Sequence, residues 1–199
     1  MKKLVVGEFL TLDGVMQAPS YPWEDTEGGF KYGGWQMPYF DAEKGKIIGE
    51  LIAAADALLL GRVTYQIFAA YWPNAPKDDP IGVGDKLNSI PKYVVSTTLD
   101  KVEWNNSTLI KKNVEEEVAK LKQQPGSGLL YVTGSGKLGQ SLMKAGLVDE
   151  YVLMIHPIVL GSGKRLFENG VGPIKLKLVD SKTTGSGVVI LTYRPADKK

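Results

Sequence analysis

The chain alternates between short apolar runs and longer amphipathic stretches, and this pattern predicts its secondary structure. Runs rich in Val, Ile, Leu and Tyr, bounded by Gly, Pro, Asp or Asn, are typical of β-strands. The predicted strands are KLVVGEFLTLDG (3–14), the run DALLLGR with its strand ending at Gly61, KYVVSTTLD (92–100), 108–110, GLLYVTG (128–134), DEYVLMIHPIVLG (149–161), IKLKLVDSKTTG (174–185) and GVVILTYRP (187–195). TTGSGV, between the last two runs, predicts a hairpin turn.

The amphipathic stretches between these runs predict four helices. In the first, AEKGKIIGELIAAA, the apolar residues at 47, 48, 51 and 52 form a stripe at helical spacing, and Asp41 is the expected N-cap. The others are VTYQIFAAYW, stopped by Pro73; NVEEEVAKLKQQPG, capped by Asn113 and closed by Pro125 and Gly126; and KLGQSLMKAG, ended by Gly146.

The order of these elements, β-α-β-α-β-β-α-β-α-β-β-β, predicts a three-layer α/β fold. Strands that alternate with helices form a mostly parallel central sheet covered by helices on both faces. The last three strands have no helices between them and should be antiparallel at the C-terminal edge. We expect residues 1–199 to form a single domain, with ligands at the carboxyl ends of the parallel strands.

Residues 15–40, the aromatic segment, show neither a helical nor a strand period. A loop of this length in a compact domain is usually functional or disordered, and its many aromatic residues argue against disorder. We expect the segment to cover a site. Its aromatic residues are Tyr21, Trp23, Phe30, Tyr32, Trp35, Tyr39 and Phe40.

Composition narrows the possible functions. The 199 residues are 43% hydrophobic and 23% charged, with a net charge of +2, which lacks the basic excess of a nucleic-acid-binding surface. No cysteine and one histidine leave no thiolate nucleophile, disulfide or Cys- or His-based metal site. No apolar run approaches the roughly 20 residues of a membrane-spanning helix. We therefore expect a cytoplasmic protein with a small-molecule partner, without metal, nucleic acid or membrane.

Three predicted strands end in residues suited to bind phosphate. Gly134, Gly136 and Gly139 satisfy G-x-G-x-x-G before a helix, where backbone N–H groups and the helix N-terminus favour a pyrophosphate. Arg62, in GRVTY, offers a fork of donors, and STTL offers hydroxyls. Each also has a purely structural interpretation, as a tight glycine turn, an exposed Arg beside a capping Thr, and a hydroxyl-rich turn. The fold would bring all three to one rim.

The motifs TLDGVMQ, LLLGRVTYQ, KYVVSTTL and VTGSGKLGQSLMKAGLVDEYVLMIHPIVLGSGKRLF, in this order, resemble the dihydrofolate reductase-like family. They are similar to the branch formed by the C-terminal reductase domain of the bifunctional riboflavin-biosynthesis deaminase/reductase. The resemblance spans nearly the whole chain and implies that fold, NADPH as cofactor and hydride transfer. The cofactor-binding residues it implies are Gly61, Arg62, Val63, Thr64, Ser96, Thr97, Thr98, Gly134, Ser135, Gly136, Lys137 and Leu138.

The same resemblance implies a C=N or C=O group of a small pteridine- or pyrimidine-like heterocycle as substrate, as in 5-amino-6-(5-phosphoribosylamino)uracil reductases. Dihydrofolate reductases bind the pterin through a carboxylate at the start of the first helix, and Asp41 is the nearest candidate here. Asp13 could orient substrate or relay a proton, or simply form an Asp-Gly turn, and Glu8 could face the site instead. The expected substrate-binding residues are Val15, Gln17, Trp23 and Trp35.

Two further expectations concern residues and functions outside this site. The lone His156 lies in an apolar run and should belong to a core or edge strand with its ring hydrogen-bonded, and GSGKRLF (161–167) should be a structural loop. A non-catalytic nucleotide-binding or ligand-sensing module on the same fold is the alternative function, and a structural homo-oligomer is a third. The long C-terminal strands favour a homodimer, because a sheet edge needs covering.

Overall fold

The computed structural model of the chain describes residues 1–76, 81–167 and 172–196. Within these ranges the strands are β1 (Lys3–Thr11), β2 (Ala55–Gly61), β3 (Lys92–Val95), β4 (Ser107–Ile110), β5 (Leu129–Thr133), β6 (Glu150–His156), β7 (Leu176–Thr183) and β8 (Val189–Pro195). The helices are α1 (Ala42–Ala53), α2 (Arg62–Tyr71), α3 (Gly84–Ser89), α4 (Val114–Gln123) and α5 (Gly136–Lys144).

The strands form one sheet in the order β4-β3-β2-β5-β1-β6-β8-β7. Neighbours from β4 to β6 are parallel, whereas β8 is antiparallel to both β6 and β7. The predicted α/β architecture, with a mostly parallel sheet and antiparallel C-terminal strands, is confirmed. The TTGSGV turn is confirmed as well, since the Thr184 N–H donates to the Val188 carbonyl within the β7–β8 hairpin.

Helices cover both faces of the sheet. One apolar cluster packs α4 and α5 against the sheet through residues such as Val118 and Leu142, and the other packs α1, α2 and α3 through residues such as Ile52 and Leu87. Side chains alternate between the two faces of β1, so Leu4, Val6 and Leu10 join the first cluster and Val5 joins the second. This alternation fixes the face on which each β1 side chain lies.

The boundaries of several elements differ from the sequence predictions. The short helix α3 was not predicted, because its six residues are too few for a clear apolar period. The apolar run 149–161 is strand only as far as His156, before Pro157. Asn113 precedes α4 in the left-handed conformation and its side chain makes no cap hydrogen bond, so the predicted cap is wrong. Asp41 does cap α1, accepting the Lys44 N–H at 2.8 Å.

The β7 edge strand is exposed along almost its whole length. Leu178 and Val179 are 48% and 43% exposed, and β7 pairs only with β8 among the described strands. No helix in the described ranges is long and apolar enough to cross a membrane.

Candidate functional site

A cavity of about 960 Å³ lies at the carboxyl ends of the central strands. Its wall includes residues 61–64, where β2 passes into α2, and residues 134–138, where β5 passes into α5. We call these two turns together the glycine rim. Because β2 and β5 are hydrogen-bonded parallel neighbours, their ends and the helices that follow them meet at one edge of the sheet.

Side-chain hydrogen bonds join the two turns of the glycine rim. The Gly61 N–H donates to Ser135 Oγ at 2.9 Å, and the Thr64 hydroxyl donates to the Gly134 carbonyl at 2.9 Å. Thr64 and Ser135 are themselves buried. The first residues of α2 and α5 are therefore held together as one rigid structure.

The glycine rim has the chemistry of an anion-binding site. Gly61 and Ser135 are the N-cap residues of α2 and α5, and neither makes a side-chain cap hydrogen bond. The backbone N–H groups at the positive ends of both helices therefore have no capping side chain as acceptor. Arg62 and Lys137 are exposed and line the cavity at these two helix starts. Two helix N-termini with a cation on each favour a phosphate group.

The glycines of the rim differ in what they require. Gly134 has φ +61°, in the left-handed region, and an added Cβ would lie 3.2 Å from Thr64 Cγ2. Gly136, in contrast, does not have a positive φ, so its backbone conformation does not require glycine. A Cβ at Gly136 would instead collide with the Met16 sulfur. Gly134 is thus the conformational glycine, and Gly136 provides the close approach between α5 and the aromatic segment.

Ser96, Thr97 and Thr98 lie at the end of β3 but do not line the cavity. The Ser96 hydroxyl accepts the Thr98 and Leu99 N–H groups, both at 3.1 Å, and thereby closes a turn. Thr97 and Thr98 are exposed. The other predicted cofactor residues, 61–64 and 134–138, all line the cavity.

Much of the aromatic segment also lines the cavity. Tyr21 and Trp23 stack with ring centroids 5.1 Å apart, and Tyr71 of α2 lies 6.3 Å from Tyr21. Trp23 is 59% exposed, although it lines the cavity. The cavity mouth therefore has a flat aromatic surface that a planar heterocycle could stack against.

Gln17 holds the aromatic segment in place. Its amide nitrogen donates to the carbonyls of Asp25 and Glu27, at 3.1 and 3.0 Å, and its amide oxygen accepts the Lys164 N–H at 3.1 Å. Lys164 adds ion pairs to both acidic side chains, each at 2.6 Å. The loop 161–167 is thus the anchor for the segment, in keeping with its predicted structural role.

The four predicted substrate residues separate into two pairs. Gln17 and Trp23 line the cavity, whereas Val15 and Trp35 are buried outside its lining. The Trp35 indole N–H donates to the Gln17 carbonyl at 2.8 Å, so Trp35 supports Gln17 from behind.

The two aspartates considered as catalytic residues do not line the cavity. Burial opposes ionisation of Asp13, but hydrogen bonds from the Thr11 hydroxyl and the N–H groups of Gly161 and Leu160 lower its pKa to about 2. Asp41 accepts the Lys44 N–H, which holds its pKa well below the usual range, and also accepts the Ser186 N–H of the β7–β8 turn at 3.0 Å. Both carboxylates therefore accept hydrogen bonds from the protein's own turns and helix α1, which is a structural role.

Glu8 of β1 does line the cavity, and it is 5% exposed. The Gly134 N–H donates to one of its carboxyl oxygens, Oε2, at 3.1 Å, while Oε1 is buried without a hydrogen-bond partner in the described structure. Burial raises the pKa of Glu8 to about 8, against the lowering effect of the Gly134 and Ser135 N–H groups. An acidic residue within an apolar strand run was the sequence signal for this position.

His156 lies in β6 with its ring hydrogen-bonded, as predicted, and is fully buried against Trp35 and Tyr39 of the aromatic segment. Its Nδ1 is 2.9 Å from the Met154 carbonyl and 3.2 Å from the Leu10 carbonyl, so Nδ1 carries the proton. Nε2 then accepts from Lys44 Nζ at 3.3 Å. Burial, together with the Lys44 charge, lowers the pKa of His156 to about 4, so the ring is neutral at physiological pH. The described residues contain no cluster of acidic and histidine side chains suited to a metal ion.

Comparison with known structures places this architecture in the dihydrofolate reductase-like class. A crystal structure of a protein provisionally assigned to riboflavin biosynthesis, from Shewanella sp. PV-4, superimposes with a TM-score of 0.73, 23% identity and 99% coverage of both chains. Dihydrofolate reductase from Enterococcus faecalis, complexed with NADP(H) and RAB-propyl, gives a TM-score of 0.62 at 15% identity, covering 98% of this chain and 97% of that one.

A pyrimidine reductase-like protein from Corynebacterium diphtheriae gives a TM-score of 0.63 at 12% identity, covering 99% of this chain and 93% of that one. In sequence, the chain is 38% identical to the uncharacterized protein YyaP of Bacillus subtilis over 139 residues, which are 69% of this chain and 73% of YyaP. The model of the RibD C-terminal domain family matches residues 2–190. The chain belongs to that family, and its fold is that of the reductase-like structures named above.

Proposed function

We propose that this protein is an NADPH-dependent reductase that transfers a hydride to a C=N or C=O group of a small pteridine- or pyrimidine-like heterocycle. The observation that carries the proposal is the cavity itself. Two helix N-termini with two cations line this cavity, and so does a pair of stacked aromatic rings. A dinucleotide needs the first kind of surface for its phosphates, and a planar substrate suits the second.

The glycine rim fits the phosphates of a dinucleotide. Gly134 is exposed at the rim, and Arg62 and Lys137 supply positive charge at the two helix starts. When bound, the nicotinamide supplies the hydride. The chain's own residues bind and orient the dinucleotide. The rim holds its phosphates, and Gln17 keeps the aromatic segment in position to exclude water from the cavity.

The position of Asp41 favours a pyrimidine-like substrate over a pterin. A pterin site needs a carboxylate at the start of the first helix that faces the ligand. Asp41 instead accepts hydrogen bonds from α1 and from the β7–β8 turn, and it does not line the cavity.

Titration of the purified protein with NADPH and with NADH tests the proposal. We expect tighter binding of NADPH, followed by NADPH oxidation with a member of a panel that includes dihydrofolate and 5-amino-6-(5-phosphoribosylamino)uracil. Absence of NADPH binding would contradict the proposal. Binding without turnover of any tested compound would favour the alternative, a non-catalytic nucleotide-binding or ligand-sensing protein.

We also propose that the protein is a homodimer that covers the exposed β7 edge strand. Leu178 and Val179 are neighbouring apolar residues at this edge, and an uncovered edge strand invites pairing. Light scattering should give the mass of a dimer, and Val179→Lys should shift it towards the monomer. A monomer mass that does not change with concentration would contradict this assembly.

A further inference from the structure

A buried acid lies directly beneath the glycine rim. Glu8 is placed by β1 with its carboxyl group against the β5–α5 turn, where the Gly134 N–H donates to Oε2. Glu8 lies on the same face of β1 as Val6 and Leu10, which pack in the apolar cluster with α4 and α5. A carboxyl group in this position has very little access to water, and its second oxygen, Oε1, has no partner in the described structure.

A carboxylate is poorly solvated in this environment. An ionised carboxyl group that is buried without an opposite charge is unfavourable, and it takes up a proton instead. Burial accordingly raises the pKa of Glu8 to about 8. The free oxygen could then accept or donate one hydrogen bond towards the cavity, depending on which oxygen carries the proton.

No basic side chain contacts Glu8 in the described structure. From β5 its ionisable neighbour is Tyr131, whose pKa is raised above its usual range by burial and by Glu8. From β6, the residue in register is the apolar Leu153. The other charged side chains of the cavity wall make no ion pair with Glu8. They are Glu24, Asp25, Glu27, Arg62, Glu115, Lys137, Lys164 and Arg165.

We propose that Glu8 is a proton-linked binding residue, a neutral carboxylic acid that couples dinucleotide binding at the glycine rim to the uptake of a proton. The inference rests on the proposed function, because it assigns the pyrophosphate to the turn that contains Gly134. A pyrophosphate brings negative charge next to the carboxyl group. Like charges disfavour the ionised acid, so the complex holds the proton more firmly than the free protein does.

This linkage has a defined direction and size. Below pH 7 the free protein already carries the proton, so Glu8 adds no pH dependence to binding. Above pH 8 the free protein has lost the proton and must regain it on binding, so affinity falls. For a complex that stays protonated, the Kd for NADPH should be about tenfold higher at pH 9 than at pH 7. The phosphates of NADPH do not titrate in this range, since their last pKa is about 6.

The experiment measures NADPH binding by calorimetry at pH 7, 8 and 9, in buffers of different ionisation enthalpy. We expect uptake of about half a proton at pH 8 and nearly one at pH 9. The variant Glu8→Gln places a neutral amide of similar shape beneath the rim. It should bind NADPH with a Kd that changes less than about twofold over this range, so that it binds more tightly than the wild type at pH 9.

A gain of affinity at high pH cannot come from a damaged fold. Glu117→Gln makes the same chemical change in an exposed ion pair with Lys120 on α4, and it should keep the wild-type pH dependence. Lys44 and Lys92, whose pKa values burial lowers to about 8, titrate in the same range but lie outside the cavity wall. If Glu8→Gln keeps the wild-type slope, one of them is responsible and the inference is overturned.

If Glu8→Gln does not fold, the wild-type data can still refute the role of Glu8. A constant Kd between pH 7 and 9, with no proton uptake, would refute the role of Glu8 while leaving the reductase proposal intact. No binding of NADPH at any pH would overturn both.

Discussion

The glycine rim and the aromatic segment line the same cavity, but they are built in different ways. The rim consists of two strand-to-helix turns on neighbouring parallel strands, joined by short hydrogen bonds such as Gly61 N–H to Ser135 Oγ. The aromatic segment has no strand or α-helix of its own and is held by a few side-chain contacts, chiefly the hydrogen bonds of its own Gln17 and the ion pairs of Lys164. A rigid rim suits a constant ligand, whereas a segment with few anchors can vary with the substrate.

The strongest test of this comparison changes Gly134 in the rim. Gly134→Val puts a β-branched residue at φ +61° and crowds Thr64. We expect NADPH affinity to fall on the order of a hundredfold, because the side chain stands in the phosphate cradle. The strain should also cost about 1–2 kcal/mol of unfolding free energy. Calorimetric titration and a thermal melt measure the two effects.

Gly146→Val is the matched control for that change. Gly146 has φ +65° just beyond the other end of α5, and no atom lies near an added Cβ. It should show the same backbone strain with unchanged NADPH affinity. Equal losses of affinity in both variants would mean that the rim is only a turn.

The second test asks what the buried acid beneath the rim costs in stability. The folded protein keeps the Glu8 proton up to about pH 8, whereas the unfolded chain releases it near 4.5. Between these values the unfolded state binds fewer protons, so the stability of the wild type falls as pH rises, by about 1.4 kcal/mol per pH unit.

Glu8→Gln lacks this titration, so its stability relative to the wild type should increase between pH 5 and pH 8 by on the order of 4 kcal/mol. Chemical denaturation at several pH values measures the difference. Parallel stability curves for the two proteins would show that Glu8 is ionised in the folded state.

The third test loosens the aromatic segment without touching the rim. Gln17→Leu removes three hydrogen bonds and leaves the carbonyls of Asp25 and Glu27 without their donor. We expect a loss of about 2 kcal/mol in unfolding free energy or faster proteolysis within residues 15–40. NADPH affinity should stay within about threefold of the wild type. A loss of NADPH affinity as large as that of Gly134→Val would remove the distinction between the two regions.

The smallest expected effect is a change of cofactor preference. Arg62→Ala should weaken NADPH by about 1.5 kcal/mol, roughly tenfold, and NADH much less, because one charge-assisted contact to the extra phosphate is lost. Arg194→Ala, which removes an exposed cation paired with Glu150 far from the rim, is the control. Equal weakening of both nucleotides by Arg62→Ala would rule out the assignment of Arg62 to the extra phosphate.

Features that depend on residues near each other in the sequence were predicted well. The strand ends at Gly61 and Gly134, the Asp41 cap and the β7–β8 turn depend on backbone rules that operate within a few positions. The same rules could not tell which hydroxyls line the cavity, and the Ser96 hydroxyl closes its own turn instead. They also failed at Asn113, which adopts a left-handed conformation instead of capping α4.

The amino-acid sequence by itself determined the alternation of strands and helices, and with it the α/β fold, because apolar periodicity is a local property of the chain. Only the tertiary structure decided the chemistry of the carboxyl groups. Asp13, placed beside the Thr11 hydroxyl and two N–H groups, is strongly acidic, while Glu8, five residues earlier, is buried beneath Gly134 and holds its proton. Proton affinity depends on desolvation and on partners far away along the chain, and only folding brings these together.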